Sequence, residues 1–458
     1  MSAAYTDFIA RKHIRVPQVG ITEDRTINGK LFGFQRMCVD RALKAGKFAL
    51  FTECGSGKTA MQAEWAKQVA EHSGGDVLIL APLAVAAQTV AEGVKFGVEI
   101  TQCRTQSDVR RGVNVTNYEM LEHFDASRFV GVVLDESSIL KNFTGKTRRL
   151  LQESFKNTPY KLCCSATPSP NDHMELGNHS EFLDVMSGGE MLMRWFLNDT
   201  MKAGGYRLKG HAEADYWRWV ASWSVCMEKP SDLGFSDDGW VMPDLNIHER
   251  VVPVDQSVAA NGQLFRVADM SATGLHSEMR LTAPDRAAAV AELVNDGRET
   301  WCVWCNTNYE ADELMQRIPD AVEVRGDERM EAKEAKLNGF SRGEFRVIVT
   351  KPSIAGFGMN WQHCNKHAFC GLSYSYEQFY QAVRRSWRFG QTRPVDAHMV
   401  IAETEGRVLE TVREKQRKHE EMKAAMVKAM AEVQTGVTRS LTSASGDVKV
   451  TLPKWIRK

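Results

Sequence analysis

The sequence predicts an α/β protein with two doubly wound parallel-sheet domains. Short apolar runs without alternation, such as Val77–Ala81 and Phe129–Leu134, are typical of strands buried on both faces of a parallel sheet. Segments with helical spacing lie between these runs, as the crossovers of such a sheet require. A second set of runs begins near Ile247, which predicts a second domain of the same class.

The composition is that of a globular protein with material for several cores. Of the 458 residues, 43% are hydrophobic and 25% are charged. The 58 basic and 58 acidic side chains give a formal net charge of zero, so any affinity for nucleic acid has to come from a local basic surface. The absence of a signal-like or membrane-spanning apolar stretch predicts a cytoplasmic protein without a membrane partner.

Residues 51–59 read Phe-Thr-Glu-Cys-Gly-Ser-Gly-Lys-Thr, with an apolar run before them and a helical pattern after them. A strand, a glycine loop and a helix form the context that a phosphate-binding loop requires. Gly55 and Gly57 allow the backbone to turn with its N–H groups pointing inward. We expect Lys58 to reach the terminal phosphates and Thr59 to ligate Mg²⁺. The alternative, a glycine-rich turn with a chance lysine, is disfavoured by this context.

Polar residues also follow two of the later apolar runs. Asp135 and Glu136 come directly after Phe129–Leu134, and Ser165 and Thr167 follow a short apolar run. In a phosphate-loop domain, Asp135 is expected to hold Mg²⁺, and Glu136 to orient and deprotonate the water that attacks a γ-phosphate. The alternative is a surface turn with two acids. The two hydroxyls are expected to sense the γ-phosphate.

The second half contains a glycine-bearing loop over 353–362 and the segment Gln381–Gln391, which holds several arginines. Arg385 and Arg388 are three residues apart, so on a helix they would share a face. Two guanidinium groups on one face can reach a transferring phosphate and stabilise its developing charge. Taken alone, the segment is more typical of the solvated face of a basic helix.

Six segments occur in a fixed order: FQ at 34–35, GSGKT at 55–59, DESS at 135–138, SATP at 165–168, GFGMNWQ at 356–362 and QAVRRSWRFGQ at 381–391. Together they resemble the motor core of superfamily-two DEAD/DEAH-box helicases over residues 30–405. The ending RxxRxGQ is most similar to the Swi/Snf-type branch. The compact form with a tryptophan-rich insertion is similar to helicases encoded by bacteriophages, which would place the protein in the host cytoplasm.

The resemblance implies two RecA-like domains that hydrolyse ATP with Mg²⁺ in the cleft between them and move on nucleic acid, with DNA the favoured track. Gln35 would read the adenine edge. The other implied nucleotide-binding residues are Gly55, Ser56, Gly57, Lys58, Thr59 and Gly358, with Thr59 and Asp135 at the metal. The implied catalytic residues are Glu136, Gln381, Arg385 and Arg388, with Arg388 the first choice as arginine finger. Ser165 and Thr167 would couple the domains, and the weaker nucleic-acid contacts are Pro82, Thr116, Asn117, Asn360 and Gln362.

The chain is expected to divide into five parts. These are an N-terminal arm over 1–30, an ATP-binding domain over 31–175, a tryptophan-rich helical insertion over 176–245, a second domain over 246–404, and a charged helix with a mobile tail over 405–458. An alternative function is an ATP-dependent switch or remodeller that acts on a protein partner without strand separation. Stimulation of ATP hydrolysis by nucleic acid would distinguish the helicase or translocase from the switch or remodeller. A protein partner for targeting is possible under either reading, and the oligomeric state is left open.

Three further features are interpreted as structural. Cys302 and Cys305 have CxxC spacing but lie in an apolar strand pattern without a second ligand pair, which favours burial over zinc. The tryptophans over 217–223 are expected to pack the insertion's core, although base stacking is the alternative. The charged helix after Glu405 mixes both signs and is expected to present a solvated face or a partner surface.

Overall fold

The structure is a computed structural model that describes residues 19–82, 85–141, 145–169, 173–199, 205–238, 240, 242–254, 272–355 and 359–440. Its two large sheets are entirely parallel and have helices between their strands. This is the doubly wound α/β architecture predicted for both halves of the chain. The predicted N-terminal arm and the C-terminal tail beyond 440 lie largely outside the described residues.

The first sheet has seven strands in the order β3-β4-β2-β5-β6-β1-β9. Its strands are β1 (Lys47–Thr52), β2 (Asp76–Ala81), β3 (Ile100–Gln102), β4 (Val113–Asn117), β5 (Phe129–Asp135), β6 (Tyr160–Cys164) and β9 (Ser224–Met227). The accompanying helices are α1 (Gly33–Ala45), α2 (Lys58–Ser73), α3 (Val85–Phe96) and α4 (Lys146–Ser154). The carboxyl ends of β1, β5 and β6 are adjacent, so the polar residues that follow them meet at one edge.

The segment between the two sheets is only partly helical. It contains α5 (Leu176–Phe182), α6 (Gly188–Trp195) and α7 (Glu213–Trp223), as expected, together with the antiparallel hairpin of β7 (Phe196–Asp199) and β8 (Gly205–Leu208). Its last strand, β9, pairs in parallel with β1 and extends the first sheet. The segment therefore shares the core of the first domain.

The second sheet has six strands in the order β10-β15-β14-β11-β13-β12. The strands are β10 (Leu245–Val252), β11 (Trp301–Cys305), β12 (Ala321–Val324), β13 (Val347–Thr350), β14 (Lys366–Cys370) and β15 (Val395–Ala402). The helices are α8 (Ala272–Leu281), α9 (Ala283–Asn295), α10 (Asn308–Arg317), α11 (Met330–Ser341), α12 (Pro352–Ala355) and α13 (Tyr376–Val383).

The final helix, α14 (Gly406–Ser440), packs on both domains. Val408 and Val412 near its start belong to a hydrophobic core of the second domain. Met422 and Met426, about three turns further on, belong to the core of the first. The helix expected to present a solvated or partner surface therefore buries one face within the chain itself, because apolar residues recur on that face among the charges.

Among the described residues, no helix combines the length and the apolar content that crossing a membrane requires.

Candidate active site

The loop between β1 and α2 allows other groups to approach its backbone closely. Gly55 and Gly57 have φ values of 86° and 79°, in the left-handed region that favours glycine. A Cβ atom on Gly57 would lie 2.3 Å from Nε2 of Gln35, so a side chain there would clash. Lys58 donates from Nζ to the carbonyl oxygens of Thr52 (2.7 Å) and Glu53 (3.1 Å). The loop thus combines a cation with the N-terminus of a long helix, which is an anion-binding arrangement.

The segment that holds the arginines lies directly against this loop. A Cβ atom on Gly55 would lie 2.8 Å from the backbone nitrogen of Phe389. Arg385 and Arg388 both donate to the carbonyl oxygen of Met359, at 3.2 and 3.4 Å. Burial lowers the pKa of Arg385 to about 10 and also lowers the pKa of Arg388. Arg385 therefore still carries its charge at neutral pH.

The prediction that the arginine pair shares a helix face is wrong in its detail. Helix α13 ends at Val383, before either arginine. The carbonyl oxygen of Arg385 accepts a hydrogen bond from the backbone of Trp361 (2.9 Å), and this takes the place of a helical partner. The two guanidinium groups converge because both bond to Met359.

The two acids lie at the end of β5. Asp135 accepts a hydrogen bond from Nε2 of Gln62 at 2.7 Å, and burial raises the pKa of its carboxyl. Oε1 of Glu136 accepts hydrogen bonds from the hydroxyls of Ser165 (2.6 Å) and Ser138 (3.0 Å). A carboxylate held by two donors has a fixed orientation, as a general base needs.

A continuous hydrogen-bonded path joins these acids to the second domain. The Ser165 hydroxyl that bonds to Glu136 also accepts from the backbone of Thr167, at 3.0 Å. The Thr167 hydroxyl accepts from Nε2 of Gln381 (3.1 Å), and Oε1 of Gln381 accepts from Arg385 (3.1 Å). Five predicted residues therefore form one path across the domain boundary, and all of them except Glu136 are buried.

A cavity of about 270 Å³ lies between the loop, the acids and the arginines. The predicted residues that line it are Gln35, Gly55, Gly57, Lys58, Thr59, Pro82, Asp135, Glu136, Asn360, Arg385 and Arg388. Ser56 is buried behind the loop, where its hydroxyl lies 2.7 Å from that of Thr52. Gly358 lies outside the described residues.

Gln35 ties the loop to α1. Its Nε2 donates to the carbonyl oxygen of Ser56 (2.8 Å), and its Oε1 accepts from the backbone of Phe32 (2.9 Å). The cavity wall beside it is aromatic: Trp240 stacks on Phe389, with ring centroids 4.6 Å apart and an interplanar angle of 12°. Such a wall can take a flat heterocycle.

The residues predicted to contact nucleic acid do not all lie together, although Pro82 and Asn360 both line the main cavity. Pro82 lines the main cavity, whereas Thr116 and Asn117 line a separate cavity of about 190 Å³ that also borders α11. Both are buried, and the Thr116 hydroxyl and the Asn117 amide oxygen have no hydrogen-bond partner among the described residues. Gln362 bonds instead to the carbonyl oxygen of Phe389.

Sequence reasoning missed several residues that connect the two sides of the cleft. Lys141 pairs with Glu377 of α13, and Glu53 inside the phosphate-loop segment contacts both α13 and α14. The adjacency of Glu53 to the glycines was a usable signal. Lys141 and the α14 contacts carry no local motif, so only the fold reveals them.

The tryptophans and cysteines predicted to pack in the core are buried. Trp217, Trp219 and Trp223 are each at most 4% exposed, which leaves little ring surface for a base. Cys302 and Cys305 are buried in β11. Within the described ranges, no group of three or more His, Cys, Asp or Glu side chains is placed to hold a metal ion.

The donor set of the cleft fits Mg²⁺. Thr59 and Asp135 both line the cavity and offer a hydroxyl and a carboxylate, which are the hard oxygen ligands that Mg²⁺ prefers when substrate phosphates and water complete its shell. The nearby ammonium group of Lys58 and the N-terminus of α2 suit the phosphates.

Residues 285–390 match the family model described as the helicase conserved C-terminal domain. The matched region runs from α9 through four of the six strands of the second sheet, β11 to β14, to the segment with Arg385 and Arg388. Its fold is RecA-like, so the two parallel-sheet units are two RecA-like domains. The match supports the interpretation of the chain as a member of the helicase superfamily. A search of curated proteins finds no match to the chain.

Proposed function

We propose that the protein is an ATP-dependent nucleic-acid helicase or translocase that hydrolyses ATP in the cleft between its two RecA-like domains. The observation that carries the proposal is the hydrogen-bonded path from Glu136 through Ser165, Thr167 and Gln381 to Arg385. It links a carboxylate base on one domain to a guanidinium group on the other. A phosphoryl-transfer site needs both groups on one substrate.

The roles follow from the chemistry of each group. The loop N–H groups and Lys58 bind the terminal phosphates, and Glu136 accepts a proton from the attacking water. Arg388, supported by Arg385, stabilises the charge that develops on the transferring phosphoryl group. Mg²⁺ held by Thr59 and Asp135 would supply further charge neutralisation when bound. Gln35 and the aromatic wall hold the adenine.

Coupling to movement follows from the same path. Loss of the γ-phosphate removes a charge that attracts the arginines to the loop, so the cleft is favoured to open and the grip of the two domains on a strand shifts. Gly358, Asn360 and Gln362 belong to the second-domain segment that would contact nucleotide and nucleic acid. Pro82, Thr116 and Asn117 would supply first-domain contacts.

DNA is the proposed track. The RxxRxGQ ending favours a Swi/Snf-like motor, and the compact form with the tryptophan-rich insertion favours a phage-type one. The proposal is tested by measuring the ATPase rate of the full chain with single-stranded DNA, duplex DNA and RNA, each at low and moderate salt. We expect stimulation by DNA that weakens as salt rises, because phosphate contacts release counterions. Stimulation by RNA alone would reassign the track. Hydrolysis that ignores all three would support the switch or remodeller alternative, and no hydrolysis under any condition would overturn the proposal.

A further inference from the structure

A buried charge cluster lies beside the phosphate loop, outside the predicted motifs. The carboxylate of Glu53 is 7% exposed. Its Oε1 accepts from the Tyr380 hydroxyl (2.5 Å) and from the backbone of Cys54 (2.8 Å). Its Oε2 lies 3.1 Å from Nη2 of Arg384 and pairs with Nζ of Lys423. The loop is therefore held by side chains from outside its own domain.

The partners of Glu53 come from two separate elements. Tyr380 lies on α13 and Arg384 directly follows it, whereas Lys423 lies on α14. Lys423 is placed by the packing of α14, because the adjacent Met422 is buried in the core of the first domain. Arg384 is placed by stacking, with its guanidinium carbon 3.9 Å from the ring centroid of Trp387.

The cluster is balanced in charge. Glu53 and the half-exposed Glu228 supply two negative charges, and the buried Arg384 and Lys423 supply two positive ones. Burial raises the pKa of Glu53, but the charges of Arg384 and Lys423 outweigh that effect and hold the pKa well below its usual range. An ionised buried carboxylate requires its cations, so loss of one would leave the other groups poorly compensated.

We propose that Lys423 of the final helix is a positioning residue for ATP hydrolysis, acting through Glu53. Arg384 adjoins Arg385, so the Glu53–Arg384 contact fixes the arginine segment against the phosphate loop. Lys423 completes the charge set that keeps Glu53 in place. Helix α14, outside the matched helicase domain at 285–390, is thereby part of the ATPase machinery. The inference rests on the proposed ATPase function.

The test compares kcat and KM for ATP in the full chain and in three variants. Lys423→Met is expected to lower kcat about tenfold and to change KM less than about threefold, because arginine placement acts on the transition state. Lys423→Arg should recover most of the loss. The matched control is Lys418→Met, which should match the wild type. The Lys418 side chain is 50% exposed on the same helix and pairs with Glu414 one turn away.

The outcomes separate this inference from the proposed function. Absence of hydrolysis by the wild type would remove the ATPase function itself. If the wild type hydrolyses ATP, an unchanged kcat in folded Lys423→Met would overturn the positioning role. A lower melting temperature of Lys423→Met without a lower kcat would overturn it too. If Lys423→Met does not fold, the double variant Glu53→Gln with Lys423→Met removes the buried anion together with one of its two cations. Reduced kcat in that variant supports the inference, and wild-type kcat overturns it.

Discussion

Glu136 adopts a left-handed backbone conformation with φ of 57°, although it is not a glycine. Such a conformation costs about 1–3 kcal/mol and persists only where the surroundings impose it. Here the hydroxyls of Ser138 and Ser165 hold the side chain, and β5 fixes the preceding residue. The strain at Glu136 falls on the residue proposed as the catalytic base, where a fixed orientation has a use. Among the described residues, Asp184 is the other non-glycine residue with a positive φ, of 54°.

Glu136→Gln is expected to bind ATP with nearly wild-type affinity and to reduce kcat by at least about 100-fold, because the amide cannot accept the proton from water. Binding is measured with a fluorescent ATP analogue and turnover by phosphate release. Glu119→Gln, a change at an exposed acid of the first domain, serves as the control. Wild-type turnover in Glu136→Gln would remove this residue from catalysis.

His179 gives a pH dependence of stability. It is fully buried, with Nε2 3.1 Å from the Ser137 hydroxyl, and burial lowers its pKa from 6.5 to about 4. Between these pH values the unfolded chain binds a proton that the folded chain does not, so the stability from this group is present above pH 6.5 and is lost as the pH falls toward 4. The slope is at most about 1.4 kcal/mol per pH unit.

Urea denaturation between pH 7 and 4.5 measures this effect. His179→Gln should lower the slope of the unfolding free energy against pH by the contribution of one proton, which is at most about 1.4 kcal/mol per pH unit. This change is expected whatever the effect of the substitution on stability at pH 7. Other buried histidines, such as His367 and His419, stay in both proteins and cancel in the comparison. Equal slopes in the two proteins would mean that His179 titrates normally in the folded state.

At the scale of the element, sequence predicted best where local pattern suffices. The predicted runs Val77–Ala81 and Phe129–Leu134 correspond to β2 and β5 within a residue, because strands buried on both faces are continuously apolar and end at polar or glycine residues. Strand β9 was missed. Its four residues follow a tryptophan-rich helix, and only the pairing of Ala49–Thr52 with Ser224–Met227 makes them a strand.

In the candidate site, too, sequence predicts what local motifs encode and misses what depends on distant contacts. The residues of the glycine loop, the acids and the arginines carry compact motifs, so their types and order could be predicted. The end of α13 at Val383 could not, because the carbonyl of Arg385 is bonded by Trp361, a partner distant in sequence. The contact of Lys423 with Glu53 spans 370 residues and leaves no local pattern.

At the scale of the whole molecule, α14 packs on both RecA-like domains while the cleft lies between them. Val408 is anchored in the second domain and Met422 in the first, so the helix cannot follow both when they separate. The proposed cycle of closing and opening would therefore bend α14 or release one of its faces. The buried Lys423–Glu53 pair lies where that release would alter the phosphate loop.

If one ATP site is built from both domains, Arg388→Ala in the second domain should abolish most hydrolysis. Single-turnover hydrolysis by the full chain at saturating ATP is the measurement, with Arg407→Ala as a control at an exposed arginine of α14. We predict that Arg388→Ala binds ATP but hydrolyses it at least about 100-fold more slowly, because an arginine finger acts on the transition state. Wild-type hydrolysis by Arg388→Ala would contradict the two-domain site.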